Sequence, residues 1–253
     1  MVRTIAVVNQ KGGVGKTTTV VNLGVVLADM NIRTLVVDLD PQGALSAGLG
    51  VDAYGLDYTI YDALMDADFP VRRAIYTVKP YLDLAPANID LAAAEMELIG
   101  EIRREFILRR TLKLLRAQYD CILIDCPPSL GVLTLNALCA SDEVLVPIQC
   151  EYSAMRGIRR LLETIDKVKR RLNPGLELGG ILPTMYATGT VHAREVLEEI
   201  RSALGDKVFD VVIYKSIRFA EASVTSQSIV EYASTHKGAQ AYRDLAKILM
   251  GVG

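Results

Sequence analysis

Apolar residues in this chain fall into short unbroken runs, separated by longer stretches in which they recur every three or four positions. The runs at 4–9, 33–40, 81–85, 119–125, 143–148, 178–184 and 207–213 predict strands. Runs such as TLVVD and CILID carry apolar side chains toward both faces, as strands covered on both sides do. The spacing in between predicts helices over 17–30, 60–65, 88–99, 102–117, 133–140, 153–172, 191–204 and 238–250. Residues 43–75 read as a loop-rich excursion around the short helix at 60–65. Single strands alternating with helices make parallel βαβ units. The expected fold is α/β, a mostly parallel central sheet with helices on both faces. No repeat, low-complexity segment or linker interrupts the pattern, so residues 1–253 are expected to form one domain.

The clearest amphipathic helix is 153–172. At 100° per residue, Ile158, Leu161, Leu162, Ile165, Val168 and Leu172 share one side. Arg156, Arg159, Arg160, Lys167, Arg170 and Arg171 share the other, interrupted by Glu163. A solvated face accounts for that side, and so does a patch for phosphate backbones. The helix at 102–117 scatters six cations around its axis, which reads as solvation.

Composition narrows the function classes. Net charge is −2, so any nucleic-acid contact must be local rather than a global field. The four cysteines lack C-x-x-C spacing and read as reduced core thiols, as in a cytoplasmic protein. The first residues enter a strand without a leader-like segment, and no apolar run is long enough for a transmembrane helix. His192 and His236 are far apart, which disfavours a zinc site or a Ser-His-Asp triad.

Three stretches carry candidate chemistry. The first, Lys11-Gly12-Gly13-Val14-Gly15-Lys16-Thr17-Thr18, lies between a predicted strand and a predicted helix. Glycines let backbone N–H groups converge on phosphate oxygens, and a helix N-terminus favours the anion. Lys16 is placed for the β- and γ-phosphates and the Thr17 hydroxyl for Mg²⁺. Lys11 precedes the glycines and is a second cation beside the cradle rather than part of it. The second stretch ends a strand in Asp38 and Asp40, before Pro41-Gln42-Gly43. Strand C-termini put both carboxylates beside the phosphate loop, although a turn role for Asp40 before Pro41 stays open. The third ends a strand in Asp125, followed by Cys126-Pro127-Pro128-Ser129-Leu130-Gly131. A carboxylate there suits Mg²⁺ opposite Thr17.

Together these stretches resemble the ParA/Soj branch of the ParA/MinD P-loop ATPases with a modified Walker A box. The likeness runs along nearly the whole chain, through D-L-D-P-Q-G, D-C-P-P-S-L-G, P-I-Q-C-E-Y and Ile217-Arg218-Phe219-Ala220-Glu221-Ala222. It implies an ATPase using ATP and Mg²⁺, with two chains sandwiching two ATP molecules and Lys11 of each reaching the other's nucleotide. It implies that Asp40 positions the attacking water, that Asp38 lies near the metal, and that 126–131 responds to the γ-phosphate. It also implies non-specific DNA binding in the ATP state, a ParB-type activator, and a cytoplasmic, nucleoid-associated location.

Two departures bear on those implications. Where relatives carry a DNA-gripping arginine after T-M-Y, this chain has Gly189; Arg218, Lys215 and Arg194, with Arg156 and Arg160, are the remaining DNA-binding candidates. Where relatives frame adenine with I-P-R-N, this chain has Ile213-Tyr214-Lys215-Ser216, leaving Tyr214 and Ser216 as nucleotide contacts. The sparsely charged segment 240–250 does not match the membrane-docking helix of the MinD branch. The expected function is chromosome or plasmid segregation. A relative that positions a protein cargo on the nucleoid, and a P-loop kinase or ligase for a small molecule, are the alternatives.

Overall fold

The computed structural model describes residues 2–151, 154–189 and 191–251. Its centre is a sheet of β1 (Arg3–Val7), β2 (Thr34–Asp38), β3 (Tyr76–Lys79), β4 (Leu82–Ala85), β5 (Cys121–Asp125), β6 (Glu143–Gln149) and β7 (Glu177–Thr184). The order is β3-β4-β2-β5-β1-β6-β7. Every pairing is parallel except β3 with β4. The central strands are covered on both faces, which is why they read as unbroken apolar runs.

One face carries α1 (Lys16–Asp29), whose Leu23 and Leu27 are buried against the sheet. A short α2 (Ala44–Gly48) follows on the loop after β2. The other face is built from α3 (Ile60–Met65), α4 (Leu91–Glu97), α5 (Ile107–Lys113), α6 (Val132–Ala140), α7 (Ala154–Arg171) and α8 (Val191–Leu204). On α7, Ile158, Leu161, Ile165 and Val168 are buried, and Leu162 and Leu172 pack against them in part. The predicted first residue of that helix, Ser153, lies outside the described residues. Helices α9 (Arg218–Val224), α10 (Ile229–Tyr232) and α11 (Lys237–Met250) complete the α1 face, with Tyr242 and Leu245 of α11 fully buried. All four cysteines are free and buried. Among the described residues, no helix is long and apolar enough to cross a membrane.

The structure adds α2, α9 and α10, which the pattern did not predict, and corrects it in three further places. Residues 207–213 do not form a strand. They touch β7 through one isolated bridge, Val208 with Ile181, and the Phe209 and Ile213 amides donate to the Ile181 and Pro183 carbonyls at 2.9 Å each. Pro183 has no N–H to return, so a continuous ladder cannot form there. The helix predicted over 102–117 shrinks to α5. Arg103 sits at φ 57°, a 3₁₀ turn follows, and the Asn136 side chain of α6 takes over the backbone pairing. Asn136 accepts from the Leu108 amide at 3.0 Å and donates to the Arg104 carbonyl at 2.8 Å. Finally, β3 is a short antiparallel edge strand that no apolar run announced.

Candidate nucleotide site

The loop after β1, flanked by the C-terminal ends of β5 and β6, forms the cradle. Gly13 at φ 72° and Gly15 at φ 91° occupy left-handed backbone that other residues avoid. The positions that side chains would fill at Gly12 and Gly13 are open, leaving bare N–H groups beside the start of α1. Thr184 at the end of β7 donates to the Val14 carbonyl at 2.8 Å, and Thr19 donates to the Gly15 carbonyl at 2.7 Å. Both bonds hold the loop from outside. The Lys16 ammonium is buried and curls back to the Lys11 carbonyl at 3.2 Å. Burial lowers its pKa, against the raising influence of Asp125, Cys126 and Asp40.

Asp125 is fully buried, and its Oδ2 accepts the Thr17 hydroxyl at 2.7 Å. Its Oδ1 has no partner. Burial, and then the neighbouring Asp38 carboxylate, push its pKa well up. A buried carboxylate oxygen without a partner, beside a hydroxyl, suits a divalent cation. Thr17 and Asp125 fit Mg²⁺. Among the described residues no group of three His, Cys, Asp or Glu side chains could hold a metal ion alone, so phosphate oxygens and water would complete the coordination beside Thr17 and Asp125.

Asp38 and Asp125 stand side by side in the β2–β5 register. The Asp38 carboxylate is already spoken for. Oδ1 accepts from the Asp40 amide at 3.1 Å, and Oδ2 from the Ser46 amide and hydroxyl at 3.0 and 2.8 Å. Burial raises its pKa to about 7 despite those donors. Asp38 is near the metal side, but its oxygens organise the loop after β2 rather than face a cation. That loop presents Asp40, partly exposed, with its Oδ1 accepting from the Gln42 amide at 3.0 Å. Ser46 also accepts from the Ala87 amide at 3.1 Å, stitching α2 to the segment after β4. Nothing in the sequence singled it out, because its partners lie eight and forty-one positions away.

Lys11 lies outside the cradle. Its ammonium meets Glu151 of the same chain at 2.5 Å and Gln149 at 3.1 Å, with about half of each charged side chain exposed. Gln149 and Glu151 are themselves hydrogen-bonded.

Beside Gly15 and Thr18 opens a cleft of about 260 Å³, lined by Thr184, Met185, Tyr214, Ser216, Phe219 and Tyr242 among others. It brings the expected contacts Tyr214 and Ser216 next to the phosphate loop. Tyr214 stands edge-on to Tyr186, and the Ser216 hydroxyl lies 3.3 Å from His236 Nε2.

The DNA-binding candidates are more scattered. Arg218 opens α9 and pairs with Glu221 at 2.8 Å, while Lys215 and Arg194 are exposed. Arg160 is exposed on α7, and the Arg156 side chain lies outside the described residues. Arg160 and Arg194 thus belong to helices of one face of the sheet, and Arg218 to the other. Gly189 has φ 88° with open space around it.

Residues 2–178 match the family model described as "AAA domain". The chain is 47% identical over 249 residues to the chromosome partitioning protein ParA of Myxococcus xanthus, covering 98% of this chain and 88% of that one. It is 45% identical over 247 residues to the sporulation initiation inhibitor protein Soj of Bacillus subtilis, covering 98% of each. The chain belongs to the ParA/Soj family. As a ParA/Soj protein it is an ATPase that works with ATP and Mg²⁺. A solved structure of high similarity is that of the cobyrinic acid a,c-diamide synthase of Mycobacterium smegmatis with bound ADP and magnesium. The TM-score is 0.87 and the identity 42%, covering 99% of this chain and 94% of that one.

Proposed function

We propose that this ParA/Soj protein is a nucleotide-dependent dimerisation switch that holds DNA non-specifically in its ATP state. The observation that carries this reading is the place of Lys11. It stands outside its own phosphate cradle, on a surface where only exposed partners of the same chain hold it. Such an ion pair is worth less than about 1 kcal/mol and exchanges readily for a phosphate on a second copy. The cradle of Gly12, Gly13, Val14, Gly15, Lys16, Thr17 and Thr18 takes the phosphates, with Lys16 leaving the Lys11 carbonyl to meet them. Thr17 and Asp125 would hold Mg²⁺, whose charge would offset that of the phosphate oxygens. Asp40, on a loop fixed by Asp38 and Ser46, orients water for attack on the γ-phosphate. Tyr214 and Ser216 border the adenine cleft.

Dimerisation doubles the exposed cations Arg218 and Lys215, so weak backbone contacts become usable only with ATP bound. A ParB-type partner would accelerate hydrolysis, release the DNA and let the cycle move a chromosome or plasmid over the nucleoid. The test is binding to a random duplex with ATP, ADP and no nucleotide across a salt series. ATP-only binding whose salt slope lessens in Arg218→Ala supports the switch; absence of binding while ATP still drives dimers removes DNA from it.

The diamide synthase name of the M. smegmatis relative favours a second reading, ATP-dependent amidation of a small acid. ATP turnover that needs such an acid, in a protein that stays monomeric, would decide for it.

A further inference from the structure

On the face of the sheet away from α1, two adjoining clefts share Arg110. The first, about 340 Å³, runs between α3, the following loop and α5, and is lined by Met65, Phe69, Leu98 and Leu114. The second, about 520 Å³, is lined among the described residues by Arg103, Phe106, Arg109, Arg110 and Lys113. Arg109, Arg110 and Lys113 share one side of α5, and Phe106 ends the 3₁₀ turn that leads into it.

Neither charge nor apolar surface is satisfied here. No ion pair or side-chain hydrogen bond engages Arg103, Arg109, Arg110 or Lys113 among the described residues. Arg104, beside them, spends its guanidinium on the Ile99 carbonyl. Leu114 is 68% exposed and Ile102 88% exposed. The patch is also rigid. Asn136 clamps the backbone at Arg104 and Leu108, and Thr111 donates to the Ala63 carbonyl at 3.2 Å.

We propose that these joined clefts are a docking surface for an acidic amphipathic helix of a partner protein. The apolar side chains of that helix would enter the cleft at Met65, Phe69 and Leu114, and its carboxylates would meet Arg103, Arg109, Arg110 and Lys113. Charge complementarity sets the sign of the partner. The apolar cleft sets its class, because a duplex backbone offers phosphates but nothing to cover Leu114 or Ile102. Asp66 and Glu101 also line the first cleft, so an acidic residue facing them is disfavoured. The surface is separate from the nucleotide cradle, and its occupation does not depend on the switch proposed above.

The test uses the full chain without nucleotide and a fluorescent synthetic helical peptide. Leu and Phe recur on one side of the peptide at i, i+3, i+4 and i+7, and Glu fills the other. Binding is followed by anisotropy beside a scrambled peptide of the same composition, a random DNA duplex and phosphatidylglycerol vesicles. The expected result is saturable binding of the amphipathic peptide that weakens with salt. It should fall at least about tenfold in Arg109→Glu/Arg110→Glu and about threefold in Leu114→Ser, with Arg218→Ala unchanged. Arg109, Arg110 and Leu114 are exposed and have no side-chain partner among the described residues, so basal ATP hydrolysis in those variants reports an intact fold. Three results overturn the proposal. They are equal binding of the scrambled peptide, peptide binding indifferent to the double charge reversal, and loss of duplex or vesicle binding in that variant while the peptide fails to bind.

Discussion

Replacing Ser46 with alanine removes one oxygen that joins three segments of the site. Its hydroxyl donates to Asp38 at 2.8 Å and accepts from the Ala87 amide at 3.1 Å, in a fully dry setting. The orphaned amide costs about 1 to 3 kcal/mol. The lost bond to Asp38 costs about 0.5 to 1.5 kcal/mol while the carboxyl is protonated and about 1.5 to 3 kcal/mol once it is charged. Asp38 decides which value applies. Burial pushes its pKa to about 7, above its value in the unfolded chain. The folded protein therefore keeps a proton that the unfolded chain releases, and stability falls as pH rises from about 4 toward 7. Removing a donor to the charged form moves the folded pKa higher still, so in Ser46→Ala that fall continues above pH 7. Urea unfolding of the nucleotide-free protein, followed by circular dichroism, should show Ser46→Ala less stable by about 2 kcal/mol near pH 6. Near pH 8.5 the loss should be larger by about 1 kcal/mol. A loss below about 0.5 kcal/mol, or one equal at both pH values, would refute the reasoning.

Asp125→Asn should lower Mg²⁺-dependent ATP hydrolysis on the order of 100-fold. Because burial raises the Asp125 pKa, the same change should stabilise the nucleotide-free fold near neutral pH, an opposite-signed effect readable by urea unfolding. Glu151→Gln releases Lys11 from its own chain, and sedimentation with ATP should show dimers up to about fivefold tighter. At Gly24 a methyl group would stand 2.9 Å from Val36 and 3.3 Å from Leu82. Gly24→Ala should therefore cost about 1 kcal/mol of stability by thermal unfolding, since the gain in helix propensity offsets only part of the overpacking.

What was legible in the sequence was whatever rests on local repetition. The run CILID had to be a doubly covered strand, and 60–65 was expected as a short helix, whose start the structure closes with a capping box of Thr59 and Asp62. The glycines before Lys16 announced the phosphate loop for the same reason. Features decided by a distant partner were not legible. Residues 102–117 have helical spacing throughout, but Asn136 competes for their first backbone groups and wins. Residues 207–213 have strand composition, yet their neighbour is a proline-bearing edge. The carboxylates of Asp38 and Asp125 were both visible, whereas the division of labour between them depends on Ser46, which the sequence presents as one serine in a loop.

The pairing of Asp38 with Asp125 across β2 and β5 has one more consequence. A slip of one residue in either strand would turn one carboxylate to the opposite side of the sheet and bring an apolar neighbour in its place. Misregistered chains would therefore lose one of the two carboxylates beside the phosphate loop, however compact they are. A nucleotide that binds the registered sheet more tightly would draw the equilibrium toward it by mass action. Nucleotide would then bear on the register of the core as well as serving as substrate of the ATPase.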